Sequence, residues 1–177
     1  MSRCFPIFLD ISNKKIYIYG AGRIASRRAE ALLAFSSSVY VFAPEASEWI
    51  LQAAEKEQLI YKKQVYEPGG IPEDIWMVLA ATDDPAVNVK IAEECREKGI
   101  LVNVCSDSSL CDFHFPGLAM KEDLVIGINA GGRDHQWAKR WTDRIRKEVD
   151  ADGYCDQTET PSDNGESSEN GKRDKDG

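Results

Sequence analysis

Residues 16–33, IYIYGAGRIASRRAEALL, place a short apolar run, a glycine turn and an Ala/Arg-rich stretch end to end. Gly20, Gly22 and Ala25 stand in G-x-G-x-x-A spacing. A strand that runs through such a turn into a helix has specific needs. The first glycine permits the tight turn, and the second leaves room for a pyrophosphate to approach the backbone. The small third residue lets helix and strand pack closely, and the helix N-terminus then faces the anion. Alone, this spacing also occurs in ordinary turns. With a strand before it, a helix after it and a second strand beyond, it predicts dinucleotide binding. Phe42, Ala43 and Pro44 occupy the end of that second strand, and Glu45 is the first acid there. No arginine stands at this corner to receive a 2′-phosphate, which points to NAD rather than NADP.

The rest of the chain supplies the frame. Ile16–Tyr19 and Val39–Phe42 read as short buried strands and Arg23–Phe35 as the first helix. Helical character returns over Ala46–Glu57, and Leu59–Tyr61 is a third strand. The run IWMVLAA (75–81) is continuous and apolar, as in a central parallel strand covered on both faces. Residues 84–99 form a helix with Pro85 in its first turn and Gly99 at its C-terminal end, and ILVNV (100–104) is another strand. Strands alternating with helices predict a doubly wound, Rossmann-like α/β domain over residues 1–113. The pattern then changes. FHFPGLAM, KED and LVIGINA suggest two strands around a charged turn, and GGRDHQWAKRWTDRIRKEV one long helix. That unit, 114–149, is too small to bury its own core, so it is expected to pair with a second copy. From Asp150 to Gly177 the chain has few apolar residues and is expected to be a disordered acidic tail.

Charge narrows the partners. The net charge is −8, and the segment from Asp150 onward, with nine acids and three bases, carries −6 of it. No nucleic-acid partner is expected, because phosphate binding needs a basic field. No apolar stretch is long enough to span a bilayer, and MSRCFPIFLD turns polar too soon for a signal peptide. Five cysteines without a C-x-x-C pair read as reduced thiols of a cytoplasmic protein.

Five separated segments, in order, resemble the precorrin-2 dehydrogenase family, which forms the N-terminal region of siroheme synthase. They are FPIFLDISNKKIYIYGAGRIASRRAEALL, VFAPE, LAATDDPAVN, ILVNVCSDSSLCDFHFPGLA and INAGG before a basic helix. The resemblance covers about residues 4–149. It implies NAD-dependent oxidation of precorrin-2 to sirohydrochlorin, which some members follow with iron insertion. It also implies a homodimer built by exchanged strands, with the substrate cleft between subunits. Carried over by position, Gly20, Gly22, Arg23 and Ile24 contact the pyrophosphate of NAD, and Pro44 and Glu45 lie near the adenosine ribose. Ala81, Thr82 and Asp83 pass under the nicotinamide end, with Asn103 at the tip of the following strand. There are departures from the family pattern. The family's usual catalytic aspartate, two positions after N-V, is Ser106 here, and the carboxylate comes one residue later as Asp107. The hydroxyl-rich segment after the glycine pair is replaced by Arg133-Asp134-His135, and the acidic tail stands where a further helical domain often follows.

Oxidation of precorrin-2 needs a hydride acceptor and a group that takes a proton. Asp107 is the candidate base; equally, Asp107 and Ser108 read as caps of the turn before Leu110. Asp112 carries the same ambiguity. His114 is a candidate substrate-binding residue, base or iron ligand, yet Cys105, Cys111 and His114 match no zinc spacing, and packing is the preferred reading of all three. No metal site is expected. The bases from Arg133 to Lys147 either form a solvated helix face or receive the carboxylates of the substrate, with Arg133 and Arg140 the candidates. Trp137, Trp141 and Ile145 make an apolar stripe best read as core or dimer packing, with macrocycle stacking second. Two readings compete with the dehydrogenase: a non-catalytic dinucleotide- or tetrapyrrole-binding relative that has lost its base, and a dehydrogenase for another substrate.

Overall fold

The computed structural model describes residues 4–131 and 135–151. Five parallel strands form one sheet: β1 (Ile16–Tyr19), β2 (Val39–Phe42), β3 (Ile60–Lys62), β4 (Met77–Ala80) and β5 (Leu101–Val104). Their order, β3-β2-β1-β4-β5, is that of a doubly wound fold, so the expected fold class is borne out. Helices α1 (Arg23–Leu33), α2 (Glu48–Glu55) and α3 (Pro85–Glu97) make the crossovers.

Side-chain alternation on the strands sorts the core into two layers. Ile16 and Ile18, with Val39, Val41, Met77 and Leu79, pack under Ala25, Ala29 and Leu32 of α1 and Ile50 and Ala53 of α2. Tyr19, Phe42, Val78, Ala80, Val102 and Val104 point the other way, onto Ile91, Ala92 and Cys95 of α3. β4, buried at all four positions, is the doubly covered strand its sequence predicts. Helix limits differ from the sequence reading where side chains intervene. α2 starts at Glu48 because Ser47 caps it, accepting from the Ile50 amide. α3 starts at Pro85 because Asp84 accepts from the Ala86 amide.

Glu94 of α3 gathers the long β3–β4 connection onto the sheet. Its carboxylate accepts from Tyr66 Oη (2.7 Å), the Gly69 amide (2.9 Å), the Ile71 amide (2.9 Å) and Lys98 Nζ (2.7 Å). Burial pushes this carboxyl up, but the donors outweigh it and hold its pKa below the ordinary value. A pKa lowered by folding contributes stability above the unfolded value, and that stability is lost as pH falls through the folded one. Glu94→Ala leaves the Gly69 and Ile71 amides without their acceptor, while Tyr66 Oη and Lys98 Nζ keep the carbonyls of Lys90 and Ile71, and is expected to cost about 3–5 kcal/mol. The denaturant midpoint of the parent chain should fall below about pH 4.5, whereas the variant, already lowered, should respond less over that range.

β6 (Gly117–Lys121) and β7 (Leu124–Ile128) pair antiparallel around Glu122 and Asp123, and α4 (His135–Ala151) packs on β6. α4 extends two residues into the segment read as tail; Arg133 and residues 152–177 lie outside the described residues. Contact between α4 and β6 is close at Gly117, where a Cβ would lie 2.2 Å from Thr142 Oγ1.

Candidate dinucleotide site

In a sheet of this order ligands bind beyond the carboxyl ends of the strands, where the crossovers diverge on either side of β1 and β4. Register puts Tyr19 level with Phe42 and Ala80, and Ala80 level with Val104. The residues just beyond these strand ends, Gly20, Ala43, Ala81 and Cys105, therefore share one rim.

Gly20 has φ +106°, and a Cβ there would lie 2.2 Å from the Ala81 carbonyl oxygen. The turn thus rests directly on the end of β4. Backbone bonds fix it: the Gly20 amide donates to Phe42 O (2.8 Å), Ala81 to Tyr19 O (2.8 Å) and Ser47 to Ala21 O (3.0 Å). Gly22 differs. Its backbone is extended (φ −80°, ψ −170°), and a Cβ would meet nothing within 4 Å. As N-cap of α1 it offers no side-chain acceptor, and the first turn contains no acid. The first-turn amides and the positive helix end are left for an external anion, which is the fit a pyrophosphate requires. Arg23 and Ile24 are exposed beside them, while Ala25 is buried against the sheet.

At the second corner, Tyr61 Oη donates to Ala43 O (2.9 Å), leaving Pro44 and Glu45 exposed on the rim. At the third, Thr82 is held by Asn88, a fully buried residue of α3. Asn88 Oδ1 accepts from the Thr82 amide (3.1 Å) and Oγ1 (2.7 Å), and Asn88 Nδ2 donates to Thr82 O (3.1 Å) and Ser106 Oγ (3.2 Å). One side chain therefore locks the loops after β4 and β5 together. Asp83 stays exposed.

Asn103 lies within β5, 4% exposed, and its amide donates to Phe113 O (2.7 Å). It ties β5 to the chain leaving it. Asp112 does the same: its carboxylate accepts from the Val102 amide (2.9 Å), and its own amide donates to Val102 O (2.9 Å). Cys111 Sγ accepts from the Val104 amide (3.1 Å). Residues 111–113 thereby satisfy the open edge of β5 in place of a sixth strand. Asp107 caps the 3₁₀ turn Ser108–Leu110, accepting from the Ser109 amide (2.8 Å) and Oγ (2.7 Å), and these bonds hold its carboxyl below the usual range.

Arg28 is an unforeseen resident of this region. Its guanidinium carbon sits 4.4 Å from the centre of the Phe115 ring, and burial pulls its pKa down. Nε and Nη1 are buried with no hydrogen-bond partner among the described residues. Its position on the stripe Ala25–Arg28–Ala29–Leu32 was the available signal, as Asn88 on the stripe Asn88–Ile91–Ala92–Cys95 was for the loop lock. His114 is half-buried in the connection to β6. Among the described residues no three His, Cys, Asp or Glu side chains converge on a metal position.

Arg140 belongs to a second group. With Trp137, Trp141 and Arg144 it lines a shallow groove of about 270 Å³ on α4. The structure brings the glycine turn, Pro44, Glu45, Thr82 and Asp83 to one rim of the sheet; Arg140 stands on the hairpin–helix unit.

A family model described as "Putative NAD(P)-binding" matches residues 7–117, from before β1 to the start of β6. The chain belongs to this family. Among curated relatives, "Probable multifunctional siroheme biosynthesis protein HemA" of Ruminiclostridium josui is 32% identical over 144 residues, 81% of this chain and 28% of the relative. "Siroheme synthase" of Xylella fastidiosa (strain M12) is 31% identical over 128 residues, 72% of this chain and 27% of the relative. The chain thus spans little more than a quarter of the length of these relatives. A solved structure, "SirC, precorrin-2 dehydrogenase", has the same fold, with TM-score 0.72 over 82% of this chain and 70% of that one at 23% identity. The resemblance seen in the sequence is borne out.

Proposed function

We propose that this chain is an NAD-dependent dehydrogenase that converts precorrin-2 to sirohydrochlorin. The observation that carries the reading is the uncapped helix N-terminus behind Gly22, set at the divergence of the crossovers in a chain whose relatives are named for siroheme synthesis. Bound NAD supplies a hydride acceptor. Gly20 and Gly22 admit the pyrophosphate, and the amides of Arg23 and Ile24 face it. Pro44 and Glu45 flank the ribose. Ala81, Thr82 and Asp83, locked by Asn88, support the nicotinamide end. As hydride leaves the macrocycle, one proton must also leave, and Asp107 is the proposed acceptor. Arg133, Arg140 and His114 are the proposed contacts of the substrate's carboxylates.

Anaerobic incubation with precorrin-2 and NAD tests this. The expected result is the sirohydrochlorin spectrum with one NADH formed per macrocycle. No turnover with NAD bound favours a non-catalytic relative, a reading supported by Ser106 in the aspartate position and by the capping bonds of Asp107.

The protein is further proposed to act as a cytoplasmic homodimer. Met120, Leu124, Trp137 and Trp141 of the hairpin–helix unit are each at least 42% exposed, more apolar surface than such a small unit normally leaves in water. Light scattering at micromolar concentration should give twice the chain mass; the mass of one chain refutes the dimer. No helix of the described residues is long and apolar enough to cross a membrane.

A further inference from the structure

We propose that Asn88 is a positioning residue of the dinucleotide site: it leaves the Ser106 hydroxyl as a hydrogen-bond donor to the carboxamide oxygen of bound nicotinamide. This role rests on the site taking NAD, not on the oxidation of precorrin-2.

The direction of each bond follows from the backbone of Thr82. A backbone amide only donates, so the Asn88 atom facing the Thr82 amide (3.1 Å) is the acceptor Oδ1. A carbonyl only accepts, so the atom facing Thr82 O (3.1 Å) is the donor Nδ2. The side-chain amide is fixed at both ends, and Ser106 Oγ, 3.2 Å from Nδ2, is therefore an acceptor in that bond. Asn88 cannot take the serine proton in return. Both acceptor positions of Oδ1 are filled by Thr82, from its amide and from Oγ1 (2.7 Å). Turning the amide over would set Oδ1 against Thr82 O and Nδ2 against the Thr82 amide, inside a residue that is fully buried. The Ser106 hydroxyl thus keeps its proton for a group outside this cluster, and no acceptor for it lies among the described residues.

Thr82 has nothing comparable to offer. Its amide, carbonyl and hydroxyl are all engaged with Asn88, and the hydroxyl also reaches Asp84 O (3.0 Å). Ser106 is exposed on the rim, where the loop leaving β5 runs beside the loop leaving β4. A dinucleotide held by its pyrophosphate at the β1 turn, with its adenosine over β2, extends its other half over β4 toward β5. The ring nitrogen of NAD is a cation, so the acceptor that the nicotinamide group presents is its carboxamide oxygen. A hydroxyl whose lone pair is already anchored on a buried amide has little freedom left to lose on binding. Water solvates the same proton when the site is empty, so the net effect is that of one neutral hydrogen bond, about three- to tenfold in affinity.

Calorimetric titration of the full chain with NAD and with ADP-ribose, which is NAD without the nicotinamide group, tests this role. Ser106→Ala should bind NAD about three- to tenfold more weakly than the parent chain and ADP-ribose equally well. Ser106→Thr keeps the hydroxyl and should restore most of the loss. Asn88→Asp keeps Oδ1 for the two Thr82 bonds but replaces the Nδ2 donor by an acceptor of the same shape, which draws the Ser106 proton inward. It should lose the same factor for NAD alone, and adding Ser106→Ala to it should cost nothing further. Unchanged NAD affinity in Ser106→Ala overturns the donor. So does a loss shared by ADP-ribose, which reports a distorted loop rather than a missing bond to the ring. Additive losses in the double variant overturn the part given to Asn88. A chain that binds neither ligand refutes the cofactor site together with this role. A chain that shows the NAD-specific loss but never oxidises precorrin-2 refutes the proposed reaction alone.

Discussion

Gly22→Asp is expected to fold as the parent chain does and to bind NAD about two to three powers of ten more weakly, from the several kcal/mol of a like-charge contact. The two halves of that expectation have separate causes. Gly22 adopts backbone angles open to any residue, and a Cβ there meets no protein atom, so the side chain enters without displacing anything. An aspartate at an N-cap is even favourable to the helix, because it accepts from the first-turn amides. Those are the amides a pyrophosphate needs, and the carboxylate both occupies them and repels the ligand. Gly20→Ala is the control. Its φ of +106° and the 2.2 Å approach to Ala81 O force the backbone of the turn or of β4 to move, at a cost of about 3–5 kcal/mol. Calorimetric titration with NAD beside a denaturant melt separates the two effects. Unchanged affinity in folded Gly22→Asp places the cofactor elsewhere.

The glycine turn was legible because its requirements are local: a strand, a tight turn and a helix N-terminus follow one another in ten residues. The strands were legible for the same reason, since burial on both faces writes an unbroken apolar run such as that of β4. Side chains that tie distant segments were not. Asn88 reads as one polar residue on an otherwise buried helix face, and nothing nearby in sequence says that it will hold Thr82 and Ser106 together. Glu94 likewise finds three of its four donors 23 to 28 residues away, in a Pro/Gly loop without periodicity. Asn103 was expected at a strand tip; the structure sets it inside β5 and gives its amide to Phe113 O, because β5 is an edge strand whose open side the following chain must cover.

Asp107→Asn is expected to lower turnover by about two to four powers of ten, the usual worth of a positioned base, with NAD affinity nearly unchanged. The substitution is clean in this setting. Asparagine keeps an oxygen for the Ser109 amide, so the cap of the 3₁₀ turn survives and only the basic charge is removed. The bonds from Ser109 also fix the pH dependence. They hold the carboxyl below its ordinary value, so Asp107 is ionised and able to accept a proton across the neutral range. Turnover should fall only as pH drops through that lowered pKa, below about pH 4. The same stabilisation makes Asp107 a weaker base than an unbonded carboxylate, which is why its neighbour matters. Ser106 Oγ sits 3.2 Å from Asn88 Nδ2, at the junction of the loops after β4 and β5. Ser106→Asp places a carboxylate within reach of that amide, on the rim of the cofactor site. If Asp107 is the base, the serine variant gains little and Asp107→Asn is crippled. If Asp107 only caps the turn, Asp107→Asn turns over like the parent, and a gain on Ser106→Asp shows that the site lacked nothing but a base at the junction.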